Sequence, residues 1–489
     1  MTVTRTLSVG ARLIAAFTFL VGFISLSAQT PSGLAGRWNG VIDIGGTTLP
    51  MAVAFVEKTS GLTATIDIQG AKGVPLDGVT YSASDMKVHF DLAAGLGLAS
   101  FDGTFDGTTI RGTFAQNAVR GTFTLAREGA PKAPAAPKAL VPYREEDVTF
   151  KNGAITLAGT LTIPQGQGPF PAFVMVTGTG LQNRDEEILG FKIFAVIADH
   201  MARHGIATLR YDDRGAGGST GSIATATTED FAGDALAGVA LLAGRSEVDR
   251  AHIGVFGHSE GGAVAAIAAA KSPGTVGFII MMAGPAVSGA AVLHQQVEDG
   301  ARSVGATDEQ VARVLAGQKK VFDALAVNAS TAVLSDAVRE MITAQLEGRP
   351  DAARAAIGDI PAAVNRTLPN AVAQVNNPWM RAFVALDPAT FMARVTCPVY
   401  AAFGAKDTQV PPALHRGPLE AALAKGGNAR VTIKVYPDAN HLFIKANTGQ
   451  VSEYATLPKV FVPEFLDDLV AFVGAAAKSQ GRGFSGPIS

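Results

Sequence analysis

Between Gly33 and Arg127, apolar residues recur at alternate positions in short runs that glycines interrupt. The runs 51–55 and 64–68 are of this kind, and Lys87-Val88-His89-Phe90 alternates as a half-buried strand does. Gly103-Thr104-Phe105, Gly112-Thr113-Phe114 and Gly121-Thr122-Phe123 recur at nine-residue spacing. Asp106-Gly107, a good hairpin turn, falls between the first two. Consecutive strands on tight turns predict an all-β meander over 33–127, closed as a small barrel or sandwich. Such a domain serves either as a carbohydrate- or lipid-binding module or as support for a lid. Residues 128–142 are rich in Pro and Ala, have no apolar period, and read as an extended linker.

From 143 to 478 the period changes. Strand-length apolar runs at 155–163, 172–176, 207–211, 253–256, 277–282, 399–403 and 431–436 alternate with helical spacing, as in 191–204, 231–242 and 461–472. That alternation predicts an α/β domain, a mostly parallel sheet covered on both faces by helices. One segment, about 285–393, is too long for a crossover and has no strand-like run. Its helical spacing, as in 308–327 and 336–346, predicts a cap inserted over the carboxyl end of the sheet. The Gly- and Ser-rich tail 479–489 is expected to fray.

Composition narrows the picture. At 489 residues the chain is too long for one ordinary domain, and 47% hydrophobic with 17% charged residues describes a globular protein. A net charge of −2 without a long basic run argues against a nucleic-acid partner. Cys397, the single cysteine, excludes an internal disulfide and reads as a buried, inert thiol. Arg5 and Arg12, the apolar stretch 13–26 and the small pair Ser27-Ala28 read as a signal peptide over 1–28. The stretch is short of the roughly 20 residues of a stable span, so no stable membrane span is expected. A periplasmic or secreted protein follows, with an uncleaved anchor as the alternative.

The chemistry centres on Gly257-His258-Ser259-Glu260-Gly261, where a strand should run into the small-residue helix that follows. A Gly-x-Ser-x-Gly in that context holds its serine on a strained turn, and positions two before and two after must lack bulk. A serine hydroxyl needs a base and an orienting acid, in the chain order Ser, acid, His. After Ser259 come only His294, in the expected cap, His415, in the helix expected after Pro411-Pro412, and His441, in the loop after strand 431–436. His441 is therefore the candidate base. Asp407, at the carboxyl end of strand 399–403, is the candidate acid, with Asp438 its rival. The oxyanion donors expected are the backbone N–H of Glu260 and that of Thr179, in the glycine-flanked loop after strand 172–176.

Other residues invite a role. Arg184, Asp185 and Arg214 either bind a charged substrate group or, as expected, pair with one another and fix loop shape. Trp379 and Phe383 either line an acyl pocket or pack the cap on the sheet. No Gly-x-Gly-x-x-Gly joins an expected strand to a helix, and no Walker or His-Glu-x-x-His pattern occurs.

The stretches from Val176 to Glu186, from Leu209 to Ser219 and from Gly257 to Gly262, with Asn377-Pro378-Trp379, Leu386-Asp387-Pro388 and Gly404-Ala405-Lys406-Asp407, resemble an exported bacterial carboxylesterase group. That group belongs to the α/β-hydrolase superfamily, and its members often carry a β-rich N-terminal domain. The resemblance runs from about 145 to 475 and departs at Gly178-Thr179-Gly180-Leu181, where Gly-Ser-Gly-Pro is common. It implies an α/β-hydrolase fold and hydrolysis of small to medium acyl esters, a small-molecule substrate, without metal or cofactor. Two rivals stay open. One is a prolyl-aminopeptidase-like amidase using cap acids such as Glu298 and Asp299; the other is a non-catalytic binding protein.

Overall fold

The computed structural model describes residues 33–44, 47–58, 61–68, 71–94, 97–116, 119–128, 141–303, 305–348, 354–355 and 357–478. The expected signal segment 1–28, nearly all of the linker and the tail 479–489 lie outside the described residues.

Eight antiparallel strands, β1 (Gly36–Ile44), β2 (Thr47–Lys58), β3 (Gly61–Ile68), β4 (Ala71–Ser82), β5 (Lys87–Ala94), β6 (Gly97–Phe105), β7 (Thr109–Gln116) and β8 (Val119–Arg127), follow one another around a closed barrel. Pairing of β1 with β8 closes it, and closure removes the sheet edges. The Gly-Thr-Phe repeat has a steric basis. Strand alternation sends each Gly and Phe inward and each Thr outward. Gly103 pairs with Gly112, and a Cβ on Gly103 would sit 2.8 Å from the Phe123 ring. On Gly112 it would meet the Asp102 carbonyl oxygen at 1.9 Å. Gly103 thus makes room for a ring that fills the barrel, and Gly112 for the backbone of the neighbouring strand. Phe90 stacks on Phe101 at 4.7 Å between centroids, and Phe123 meets Phe101 edge-on at 5.4 Å.

The second domain is built on strands β9 (Tyr143–Asn152), β10 (Ile155–Pro164), β11 (Phe170–Val176), the two-residue hairpin β12 (Glu187–Ile188) and β13 (Phe191–Lys192), then β14 (Ala207–Tyr211), β15 (Val248–His258), β16 (Phe278–Met282), β17 (Val399–Gly404) and β18 (Val431–Tyr436). The main sheet runs β18-β17-β16-β15-β11-β14-β10-β9. From β18 to β14 every pairing is parallel, while β10 and β9 are antiparallel. The mostly parallel sheet expected from the alternation is borne out. Helices α1 (Ile193–Arg203), α2 (Thr228–Ala243) and α3 (Glu260–Lys271) follow successive strands.

Residues 289–392 hold helices α4 (Gly289–Ser303), α5 (Asp308–Ala326), α6 (Thr331–Glu347), α7 (Ile360–Val375), α8 (Pro378–Ala385) and α9 (Pro388–Met392). Thr307, Ser330, Asp359 and Asn377 cap four of them, satisfying the N–H groups that a helix start leaves free. This segment has its own apolar core, including Val321, Leu334, Val338 and Leu368. It sits between β16 and β17, while Ser259, Asp407 and His441 follow β15, β17 and β18. Helices α10 (Pro412–Lys425) and α11 (Phe465–Lys478) complete the domain. No helix among the described residues is long and apolar enough to cross a membrane.

Three elements differ from the reading of the chain. Helical structure expected from 191 starts at Ile193, because Leu189 (φ +50°) and Gly190 (φ +78°) turn the chain and pair Phe191–Lys192 with Glu187–Ile188. The helix expected over 461–472 runs instead over Phe465–Lys478; Pro463 and Glu464 (φ +69°) intervene, and Phe461 is bridged to Ile444. Edge strand β9 had no apolar signature, since only Phe150 in it is deeply buried.

The barrel rests on its ring cluster, so truncating Phe101 should be costly. Phe101→Ala is expected to lower stability by about 3–5 kcal/mol, read as an earlier barrel transition in denaturant followed by Trp38 fluorescence.

Candidate active site

Strand β15 ends at His258 and α3 begins at Glu260, so a single residue, Ser259, makes the turn. Its backbone has φ +53° and ψ −122°, a conformation L residues rarely adopt. The flanking glycines are sterically required. A Cβ on Gly257 would lie 1.8 Å from the Gly261 carbonyl oxygen, and one on Gly261 would lie 2.3 Å from that of Val176. Ser259 N–H donates to the Met282 carbonyl at 2.9 Å, fixing the turn to the neighbouring strand.

The expected acid and base are joined. Asp407 Oδ2 lies 2.8 Å from His441 Nδ1, with both side chains buried. The other carboxylate oxygen accepts the N–H groups of Gln409 (2.7 Å) and Val410 (2.9 Å). Burial alone would raise the Asp407 pKa; the His441 imidazole and these amides reverse it, and the net shift is downward. Ionised, Asp407 only accepts, which puts the proton on His441 Nδ1 and leaves Nε2 as the basic nitrogen. The loop holding His441 is tight: buried Asn440 accepts from Leu442 and Ile444 N–H, and Phe443 sits at φ +57°. Asp438, the rival acid, is half-exposed and pairs with Lys406 at 3.4 Å and Lys445 at 3.7 Å. His415 is buried in α10, where its Nδ1 accepts from Ala286 N–H at 3.0 Å.

Ser259 and His441 line one cavity of about 500 Å³, together with Thr179, Glu260, Trp379 and Phe383. No hydrogen bond joins the Ser259 hydroxyl to the imidazole among the described residues; such contacts are often long before substrate binds. Trp379 and Phe383 of α8 stack at 4.8 Å between centroids, so they both line the cavity and pack the cap.

Sequence reasoning gave no part to the Glu260 side chain. It is buried and accepts from Thr228 Oγ1 (2.7 Å), Thr179 Oγ1 (2.8 Å) and Trp379 Nε1 (2.8 Å). It thereby ties the turn to α2, to the loop after β11 and to the cap. Burial raises its pKa against these three donors. Buried His258 and Glu186 were missed as well. A signal existed for Glu260 and His258, since an ionisable residue in an otherwise apolar strand or helix needs a partner.

Arg184, Asp185 and Arg214 do pair, but not with one another. Arg184 grips Asp212, with Nη2 to Oδ2 at 2.8 Å, and also reaches Asp147. Asp185 pairs with Arg210, and Arg214 with buried Asp234 at 2.6 Å. Each salt bridge joins residues from different loops or elements. Cys397 is a free buried thiol, and burial pushes it up to about 11.

Parts of this chain are similar to known proteins. The sequence profile described as "Serine aminopeptidase, S33" matches residues 191–356, and that of the "Dienelactone hydrolase family" matches 385–459. Esterase EstD of Thermotoga maritima is 35% identical over 156 residues, covering 32% of this chain; the chain spans 36% of that relative's length. Among solved structures, an esterase of Pyrococcus furiosus aligns with TM-score 0.42 and 15% identity, over 71% of this chain and 96% of that one. The proline iminopeptidase of Mycobacterium smegmatis aligns with TM-score 0.40 and 18% identity, over 68% of this chain and all of that one (100%).

Asp213 gives the site a measurable pH signature. It accepts from Thr177 Oγ1 (2.7 Å) and Gln182 N–H (2.8 Å). Burial, with nearby Glu186 and Glu260, pushes it up to about 8. Between about pH 4, its unfolded value, and pH 8, the folded state keeps a proton that the unfolded state has lost. Stability contributed by Asp213 is therefore present below this window and lost as pH rises through it. Asp213→Asn mimics the neutral form, so its Tm should gain on wild type by a few degrees between pH 4.5 and 8.5. A Tm difference that stays constant with pH would contradict this.

Proposed function

We propose that this chain, a member of the α/β-hydrolase superfamily, is a serine hydrolase cleaving carboxylic esters of small to medium acyl chains. Ser259, His441 and Asp407 form its triad. The observation that carries this reading is the buried Asp407–His441 hydrogen bond, which opens on the cavity that holds the strained Ser259 turn. His441 Nε2 takes the hydroxyl proton as Ser259 Oγ bonds to the ester carbonyl carbon. The Asp407 carboxylate stabilises the imidazolium that results. The tetrahedral intermediate then breaks its bond to the alkoxide, which leaves with the proton from Nε2. Water, deprotonated by the same nitrogen, attacks the acyl-enzyme; the bond to Ser259 Oγ breaks, Oγ takes the proton back from Nε2, and the acid is released.

Two N–H groups are proposed to hold the oxyanion. Glu260 is the first residue of α3, where the N–H has no intrahelical partner. In the loop after β11, the Gly178 N–H is already given to Glu186 at 2.7 Å, which leaves Thr179 as the next donor. Ile188, Leu293, Trp379, Phe383 and Leu442 give the cavity apolar walls suited to an acyl chain. The N-terminal signal pattern supports action in the periplasm or outside the cell.

The matched serine aminopeptidase profile favours an amidase as the second reading. Against it, Glu298 and Asp299 do not line the cavity, and Glu298 pairs with Arg302 at 2.9 Å. Short p-nitrophenyl esters of graded length, set against aminoacyl anilides, separate the two. Ester turnover is expected to dominate and to fall roughly 10⁵–10⁶-fold in Ser259→Ala. Anilide turnover exceeding ester turnover would favour the amidase. Equal ester rates in wild type and Ser259→Ala would remove Ser259 as nucleophile.

A further inference from the structure

Behind the triad runs a second chain of hydrogen bonds. Gly178 N–H donates to Glu186 Oε1 at 2.7 Å, and the same oxygen lies 2.9 Å from His258 Nδ1. His258 Nε2 lies 2.9 Å from the backbone carbonyl oxygen of His441. Both side chains are buried, at 1% and 2% exposure. The path joins the loop carrying the proposed oxyanion donor to the backbone of the proposed base without passing through Ser259 or Asp407.

The partners fix the protons. A carbonyl only accepts, so His258 Nε2 must carry a hydrogen. Glu186 Oε1 already accepts from Gly178, and His258 Nδ1 faces that same oxygen. One proton must therefore sit between Nδ1 and the carboxylate, giving a buried imidazolium–carboxylate pair or its neutral counterpart. Burial on its own would lower the His258 pKa, and the adjacent Glu186 reverses this to leave it raised. The arrangement is held against backbone strain: Glu186 sits at φ +44°, with its N–H on the Asn183 carbonyl at 2.9 Å. The His258 ring lies 4.8 Å from that of His441, between centroids.

We propose that Glu186 and His258 are positioning residues that lock the Gly178-Thr179 loop to the His441 backbone, so that oxyanion donor and base converge on one carbonyl group. The proposal rests on the ester-hydrolase reading. Both border the cavity, but at so little exposure their effect is transmitted through the main chain rather than by contact with substrate. A misplacement of about 1 Å in such an arrangement costs up to about 100-fold in rate.

The test uses the full chain and a short p-nitrophenyl ester, with Tm measured for each variant. Glu186→Ala and His258→Ala are expected to lower kcat by roughly 10–100-fold, with KM within about threefold of wild type. Glu186→Gln keeps an acceptor for the Gly178 N–H and is expected to recover part of the loss. Being isosteric, it decides the matter if the alanine variants unfold: a kcat lowered at unchanged KM supports the pair. Wild-type kcat in Glu186→Gln and His258→Ala, or a rise in KM alone, overturns it. Failure of the underlying reading looks different, because wild type itself would then neither turn over ester nor take up a fluorophosphonate at Ser259.

Discussion

The backbone of Ser259 is the constraint on which the rest of the site depends. A non-glycine residue at φ +53° costs of order 1–3 kcal/mol and persists only where its surroundings over-determine it. Here β15 and α3 approach so closely that Gly257 and Gly261 have no room for a side chain. The crowding extends outward: a Cβ on Gly262 would lie 2.6 Å from Gly284 Cα, in the stretch that leads from β16 into the cap. The same closeness that strains the serine brings β16, the loop after β11 and the cap to within reach of it.

Around this turn the fold gathers buried carboxyl groups and treats each differently. Asp212 faces the Arg184 guanidinium, and although burial would raise it, its pKa ends below the usual value. Asp407 has two amides and the His441 ring, whose positive charge when protonated attracts it, and is lowered too. Glu260 has three neutral donors and no cation among its bonded partners, and burial wins. The contrast follows from desolvation: hydrogen bonds from neutral groups offset only part of the cost of burying a charge, whereas an adjacent cation can exceed it. An ionised Asp407 holds the imidazole in the tautomer a base requires. Glu260, by contrast, serves as a tie between cap, turn and loop.

Legibility in the sequence followed the range of the interaction that fixes each residue. Ser259, Asp407 and His441 each stand just past an apolar strand, so local pattern and chain order were enough to select them. Asp407 outranks Asp438 in the structure because it bonds the imidazole, whereas Asp438 faces solvent and lysines. The barrel was readable because its repeat is a direct record of strand alternation. What escaped were pairings across long separations, such as Glu186 with His258, 72 residues apart, and Trp379 with Glu260, 119 apart. Local spacing carries no information about these. Strand β9 escaped for another reason: an edge strand with one deeply buried side chain needs no hydrophobic period.

Among the described residues, Leu189 and Ala455 bring the barrel to bear on the cavity. Leu189 packs against both the barrel core and the core of the second domain, and Ala455 is buried within the barrel cluster. Their chain neighbours Ile188 and Tyr454, with Leu189 itself, line the cavity beside Ser259. Leu189 sits in the tight turn of the β12–β13 hairpin at φ +50°, and two residues per strand are too few to hold that shape alone. Apolar contact with the barrel supplies the missing burial on one side. One wall of the cavity is therefore backed by the first domain, and its position depends on how the two cores meet. What the barrel backs is thus the β12–β13 hairpin and the segment at Tyr454, not the helices of the cap.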